Sequence, residues 1–369
     1  MKKSFIAPLV LATFTIALSF AGCGGGAGGA TGNSPVVAPA ITTQPANKSV
    51  TAGRTVTFNV VATGTAPLTY QWKKNGANIG TSTSSYTIPV TANDNGAKYS
   101  VVVSNSAGDV TSNEVTLNVT ALPTGTIRIA YLHHSTGGNI WAGGVQQFFT
   151  NFNAEYGTDY QITSITYPAA PATGYNSNTG YPWANYPYDY WNLWVNHTGT
   201  NQDRGELTLD QIAANYDVIV FKHCFPVSGI GPDSGTASVS SQSKTIANYQ
   251  LQYAALKAKM KNDFPNKIFI LWTGAALTSG STTAGNAQRA QDFFNWVKNT
   301  WDEPGDNIFI WDFYALETEG TLYMKDAYAD GATNSHPNAS FSTTVAPYIA
   351  QRIVDVIEGH GDTNSITGH

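Results

Sequence analysis

The chain has 369 residues, more than one ordinary core accommodates and enough for two domains with tails. Hydrophobic residues make up 42% and charged residues only 12%, a polar but uncharged composition that suits a β-rich exported protein better than a cytosolic one. The net charge of −5 divides into +4 over residues 1–125 (7 Lys and Arg against 3 Asp and Glu) and −9 over residues 126–369 (12 against 21). No basic stripe is available to neutralise phosphates, which excludes nucleic acid as a partner.

Residues 1–23, MKKSFIAPLVLATFTIALSFAGC, read as an export signal: two lysines, an apolar run, then small residues before Cys23. The apolar run is too short and interrupted for a stable membrane span. Its ending, LSFAGC, resembles a bacterial lipobox, with Phe20 where Leu is usual. That resemblance implies cleavage before Cys23 and lipidation of it, with Gly24 favouring an outer-membrane or surface address. The expected membrane contact is this lipid anchor alone. Cys224, the other cysteine, then has no disulfide partner, so the domains must rely on packed cores. Residues 24–40, GGGAGGATGNSPVVAPA, read as a flexible tether.

Over 41–120 the text changes to short runs of period two, separated by turn residues such as the Asn-Gly pair after a Trp-bearing strand. About seven strands at this spacing predict an all-β sandwich. The stretch resembles the bacterial immunoglobulin-like (I-set) family. Trp72 matches its core Trp, Tyr99 its corner Tyr, and Val60 and Val101 stand where the family's intersheet cysteines would be. The segment carries no cluster of exposed aromatics, which favours a spacer over an adhesive or carbohydrate-binding module.

Residues 121–125, ALPTG, form a short linker, and over 126–369 strand and helix patterns alternate. TIRIAYLH, YQITSITY, YDVIVFKHCFP, KIFILWTG and NIFIWDFY read as five strands, and the segments between and after them carry helical spacing. Continuous apolar strands separated by helices predict an α/β three-layer domain on a parallel sheet, and ligands of such sheets sit beyond the strands' carboxyl ends. At those ends lie His133, His134 and Ser135; Lys222, His223 and Cys224; Thr273 and Gly274; and Asp312. His336 follows in NSHPNAS before the last helix, and all seven histidines belong to this domain. A serine needs a neighbouring base to become a nucleophile, and its oxyanion needs donors; a strand end opening into a helix suits both. The bland alternatives are that Ser135 caps a helix, that His336 braces a turn and that Cys224 is a small buried apolar residue. His133 and His134 point to opposite sides of a continuing strand, so at most one joins the site. No acidic or His partner sits at usual ligand spacing, so no metal is expected.

On YLHHST and NSHPN, residues 126–359 resemble the SGNH (GDSL-like) hydrolase family, whose fold is a flavodoxin-like parallel sheet. The resemblance makes Ser135 the nucleophile and His336 the base of an esterase that needs no cofactor or metal. The family's Asp, three residues before the His, is Thr333 here; Asp330 or Asp326 approaches from the same loop, or the base works without a carboxylate. The family's oxyanion Asn is missing, leaving His223 or Lys222, with His134 adjacent, to donate; the oxyanion Gly stays unassigned, since Gly143 and Gly144 lie too deep in the first helix and nothing singles out Gly174 or Gly180. Eight aromatics fall within 175–194, mixed with Asn and Gly. Trp183, Tyr188, Trp191 and Asn192 are the candidates to stack on and bond a sugar, or else the rings form a satellite core. The expected function is an exported, lipid-anchored serine esterase acting on O-acetyl groups of a polysaccharide. The alternative is a non-catalytic carbohydrate-binding or adhesive protein on an inactive hydrolase scaffold.

Overall fold

The structure, a computed structural model, describes residues 35–167 and 185–369. Cys23 and Trp183, and with them Gly174 and Gly180, lie outside the described residues.

The N-terminal part is a sandwich of short antiparallel strands. One sheet runs β2(Lys48–Thr51)–β10(Val115–Thr120)–β8(Ala97–Asn105)–β5(Thr69–Lys74)–β6(Ala77–Ile79), with β9(Gly108–Thr111) also on β8 and β2 the one parallel neighbour. β3(Thr55–Asn59) pairs with β7(Ser85–Pro89), and β1(Ala40–Thr43) with β4(Val61–Thr63). The period-two alternation turns Phe58, Trp72, Tyr99, Val101, Val103 and Leu117 inward, all fully buried. Phe58 stacks on Tyr99 with ring centroids 4.5 Å apart. Val60 and Val101 are buried, so apolar packing occupies the positions where the resemblance places a disulfide.

The C-terminal part is a five-stranded parallel sheet covered by helices. Its order is β12(Asp159–Thr166)–β11(Thr126–His133)–β13(Val218–Lys222)–β14(Ile268–Trp272)–β15(Ile308–Trp311), every pair parallel. β13 is buried at all five positions, which is why it reads as an unbroken apolar run up to Lys222. α1(Thr136–Ile140), a π-helical turn (Trp141–Val145) and α2(Gln146–Tyr156) follow β11 as one helical run. α3(Pro187–Trp191) and α4(Leu209–Asn215) precede β13, and α5(Ile246–Asp263) precedes β14. α6(Ala284–Trp296), α7(Phe313–Thr318) and α8(Ala339–Ile357) complete the layers. Thr208, Thr245, Thr283 and Asn338 cap α4, α5, α6 and α8 through their side chains, so the chain enters these helices at fixed points. Among the described residues, no helix is long and apolar enough to cross a membrane.

Strand order reverses direction between β11 and β13, the place where such sheets open a crevice beyond their carboxyl ends. Ser135 and Cys224 both follow strands that flank this crevice.

Candidate active site

Ser135 occupies the turn from β11 into α1 with φ 46° and ψ −108°. A left-handed φ in a serine costs about 1–3 kcal/mol and is found where the surrounding structure imposes it. The Ser135 side chain makes no cap hydrogen bond, which goes against the alternative of a helix cap. Its Oγ instead meets Nε2 of His336, 201 residues away in sequence.

The loop bearing His336 is fixed from several sides. Ala329 and Pro337 form an isolated antiparallel bridge, and the Asp330 N–H donates to the His336 carbonyl at 2.8 Å. Thr278 N–H donates to Ser335 Oγ at 3.0 Å, and Thr278 Oγ1 donates to the Ala332 carbonyl at 2.8 Å. Asn139 reaches across from α1 and donates through Nδ2 to the Pro337 carbonyl at 3.0 Å, tying the serine's helix to the histidine's loop. The His336 and Phe225 rings also pack in a T-shaped pair with centroids 4.9 Å apart.

His336 Nδ1 lies 2.7 Å from Asn334 Oδ1. An amide oxygen can only accept, so Nδ1 carries the proton and Nε2 is left free to accept from Ser135. Asn334 then donates through Nδ2 to Asp330 Oδ2 at 3.2 Å. Asp330 therefore stands one residue further out than the family pattern implies, because Asn334 occupies the space beside the imidazole. Asn334 is the residue that the sequence reading missed; it lies two positions before the histidine rather than three. Burial, then the charge of Lys222, hold the His336 pKa below its usual value, while Asp330 raises it slightly.

The three proposed oxyanion donors differ in placement. His223 is 1% exposed, with its ring among Tyr190 (4.7 Å), Tyr253 (5.3 Å) and Phe221 (6.3 Å), and neither ring nitrogen has a hydrogen-bond partner among the described residues. The chain just past β13 turns it into the helical layer, and burial, then Lys222, lower its pKa to about 3. Lys222 is fully buried and donates to the His223 carbonyl at 3.3 Å. Its aliphatic stem underlies Gly137 in the first turn of α1, and burial lowers its pKa. Lys222 thus acts on the site through its charge. Burial raises the Cys224 thiol, but the Lys222 charge, then neighbouring His134, outweigh it and bring the pKa to about 7. Cys224 is a free cysteine and is buried. His133 turns to the opposite side and meets Ser164 Oγ at 2.7 Å, its pKa lowered to about 4 by burial, then by Lys222.

Asp312 is structural: it pairs with Lys298 at 2.9 Å, accepts from Thr273 at 2.8 Å and caps α7. Gly143 lies against the backbone of Ser342 in α8, too far along the helix to serve an oxyanion. Asn192 is buried and donates to Asp203 at 2.8 Å, so its amide is committed internally. Of the aromatic insertion, Tyr186, Tyr190 and Trp194 are buried in the core. Tyr188 and Trp191 remain half-buried, 5.5 Å apart. Among the described residues, no group of three His, Cys, Asp or Glu is arranged to hold a metal ion.

Residues 38–105 match the family described as Immunoglobulin domain, so the N-terminal domain is immunoglobulin-like. Among solved structures, a titin Z1Z2 chimera carrying an exogenous decorin peptide is 26% identical over 24% of this chain and 99% of its own, with a TM-score of 0.22. The titin I-band fragment I67–I69 is 22% identical over 27% of this chain and 39% of its own, TM-score 0.21. Sidekick-1 immunoglobulin domains 1–5 are 22% identical over 27% and 22%, TM-score 0.22. No curated protein matches the chain.

Proposed function

We propose that the C-terminal domain is a serine esterase of the SGNH type on a flavodoxin-like sheet, carried by an exported, lipid-anchored chain. The observation that carries this reading is the contact between Ser135 Oγ and His336 Nε2, made by a serine held at positive φ at the end of the first strand. The strand order, with β11 second and β13 third, is the doubly wound order whose crevice opens between those two strands.

Ser135 Oγ attacks the acyl carbonyl as His336 Nε2 takes its proton. The carbonyl π electrons move onto oxygen, and the first-turn N–H groups of Ser135 and Thr136, which have no intrahelical partner, face the developing charge. Collapse of this intermediate breaks the ester C–O bond, and His336 returns the proton to the leaving alcohol. Water, deprotonated by the same nitrogen, attacks the acyl-enzyme and releases the acid and Ser135. Asn334 holds the imidazole in the tautomer this sequence needs. The substrate class is an acylated polysaccharide, with Tyr188 and Trp191 as stacking faces.

The test is hydrolysis of p-nitrophenyl acetate by the full chain. Turnover that Ser135→Ala abolishes supports the reading, and turnover that survives this change sinks it. An intact protein inert toward acyl esters but retained by polysaccharide supports the non-catalytic alternative, which the amide in place of a carboxylate favours.

A further inference from the structure

The two helical runs that leave the candidate site meet the immunoglobulin-like domain at their other ends. Ser135 opens the run that continues through α1 to Tyr156 at the end of α2, and His336 lies two residues before Asn338, the cap of α8. Near the site the two runs cross closely, since a Cβ on Gly143 would overlap the Ser342 carbonyl. α8 has 19 residues, which carry it about 28 Å from the site.

At that distance the 51–54 turn of the sandwich touches both runs. The Arg54 guanidinium lies over the rings of Phe152 and Tyr156, 4.1 and 3.9 Å from their centroids. Its Nη2 donates to Glu358 Oε1 at 2.7 Å, just beyond α8, and only 16% and 3% of the two side chains remain exposed. A planar guanidinium stacks and pairs at once, which a lysine ammonium cannot do. Beside it, Thr51 Oγ1 and His360 Nε2 are 2.9 Å apart, and Thr120, the last residue before the linker, is 3.4 Å from the same nitrogen. Thr51 and His360 are both buried. A spacer that merely held the second domain away from a surface would have no need of a buried ion pair between the domains.

We propose that the immunoglobulin-like domain is a brace: its 51–54 turn grips the far ends of the helical runs that start just after Ser135 and His336 and keeps that pair aligned. The bound partner of this surface is the chain's own second domain, so the two unfold as one unit. The catalytic consequence rests on the esterase reading above; the mechanical one does not.

The experiment compares the full wild-type chain with Arg54→Ala by calorimetry, by amide hydrogen exchange over residues 136–140 and 339–345, and by ester turnover. A brace predicts one unfolding transition in the wild type and two in the variant. It also predicts exchange about 10-fold faster in both segments, and kcat lowered about 10-fold with KM within about 2-fold. Unchanged exchange in the two segments overturns the brace, whether or not the transitions separate. Wild-type protein that hydrolyses no ester defeats the proposed function, while exchange still decides the brace. If Arg54→Ala fails to fold, Thr51→Val, which removes the hydroxyl that meets His360 and Thr120, gives the same readouts, with unchanged exchange again overturning it.

Discussion

The imidazole of His336 presents Nδ1 to the side-chain oxygen of Asn334 at 2.7 Å, so a neutral amide orients the candidate base. A carboxylate in that place would orient the ring and also stabilise its protonated form; an amide does only the first. Asp330 reaches the imidazole through the amide, from which it accepts at 3.2 Å.

Replacing the reacting atoms is the primary test. Ser135→Ala and His336→Ala are each expected to lower kcat/KM on an acyl ester by about 10³-fold or more, with the circular dichroism spectrum unchanged. Folded variants that retain wild-type turnover would remove the pair from the mechanism.

Asn334 separates orientation from charge. Asn334→Ala is expected to lower kcat about 10- to 100-fold because the tautomer is no longer fixed. Asn334→Asp keeps an acceptor and adds a charge that favours the imidazolium, so the acid limb of the kcat/KM profile moves to higher pH. Asp330→Asn, one bond further out, is expected to change kcat only a few-fold. An acid limb that stays in place in Asn334→Asp would show that this contact does not form in solution.

Lys222 is buried, and its charge lowers the pKa values of His336, His133 and Cys224. In a chain carrying Cys23→Ser, the ultraviolet absorbance of the Cys224 thiolate should titrate near 7. Lys222→Met removes the attraction for the thiolate, and the midpoint should rise by a unit or more, since burial then acts with less opposition. A midpoint that does not move would place the lysine's charge elsewhere.

His223 makes stability fall with acid. Its folded pKa of about 3 lies below the usual value of 6.5, so the unfolded chain takes up a proton where the folded one does not. The stabilisation is complete above about pH 6.5 and is lost progressively as pH falls toward 3. Between pH 7 and pH 5 this one group costs about 2 kcal/mol, and His133, with a folded pKa of about 4, adds in the same direction. Urea unfolding of His223→Phe, whose ring suits the surrounding aromatics, should lose about 2 kcal/mol less over that interval. Equal losses in variant and wild type would mean that His223 is already protonated, or exposed, in the native state.

Local patterning was legible in the sequence. The five parallel strands and the sandwich core around Trp72 and Tyr99 follow from apolar periodicity, which a strand or helix expresses whatever it packs against. The spatial meeting of Ser135 and His336 was inferable from their places at the ends of the first strand and before the last helix. The partners of those residues were not legible. Asp330 and Asn334 sit in one turn, and only the bridge between Ala329 and Pro337 decides which side chain meets the imidazole. His223 reads as polar at a strand end, yet the pleat turns it into an apolar layer. In the aromatic segment, helical phase sends Tyr190 and Trp194 inward and leaves Tyr188 and Trp191 half-buried, a division that composition does not reveal.

The grip of Arg54 on Phe152, Tyr156 and Glu358 lies furthest beyond the sequence, because its partners are about 100 and 300 residues away and share no local signal. The sequence by itself determined which segments form strands and helices and which strand ends carry polar groups, since those depend on nearest neighbours along the chain. Tertiary structure alone decided that an amide orients His336, that His223 faces the core and that the sandwich touches the helices of the site. Each of these is a distance between residues that the chain path does not fix until both domains are packed.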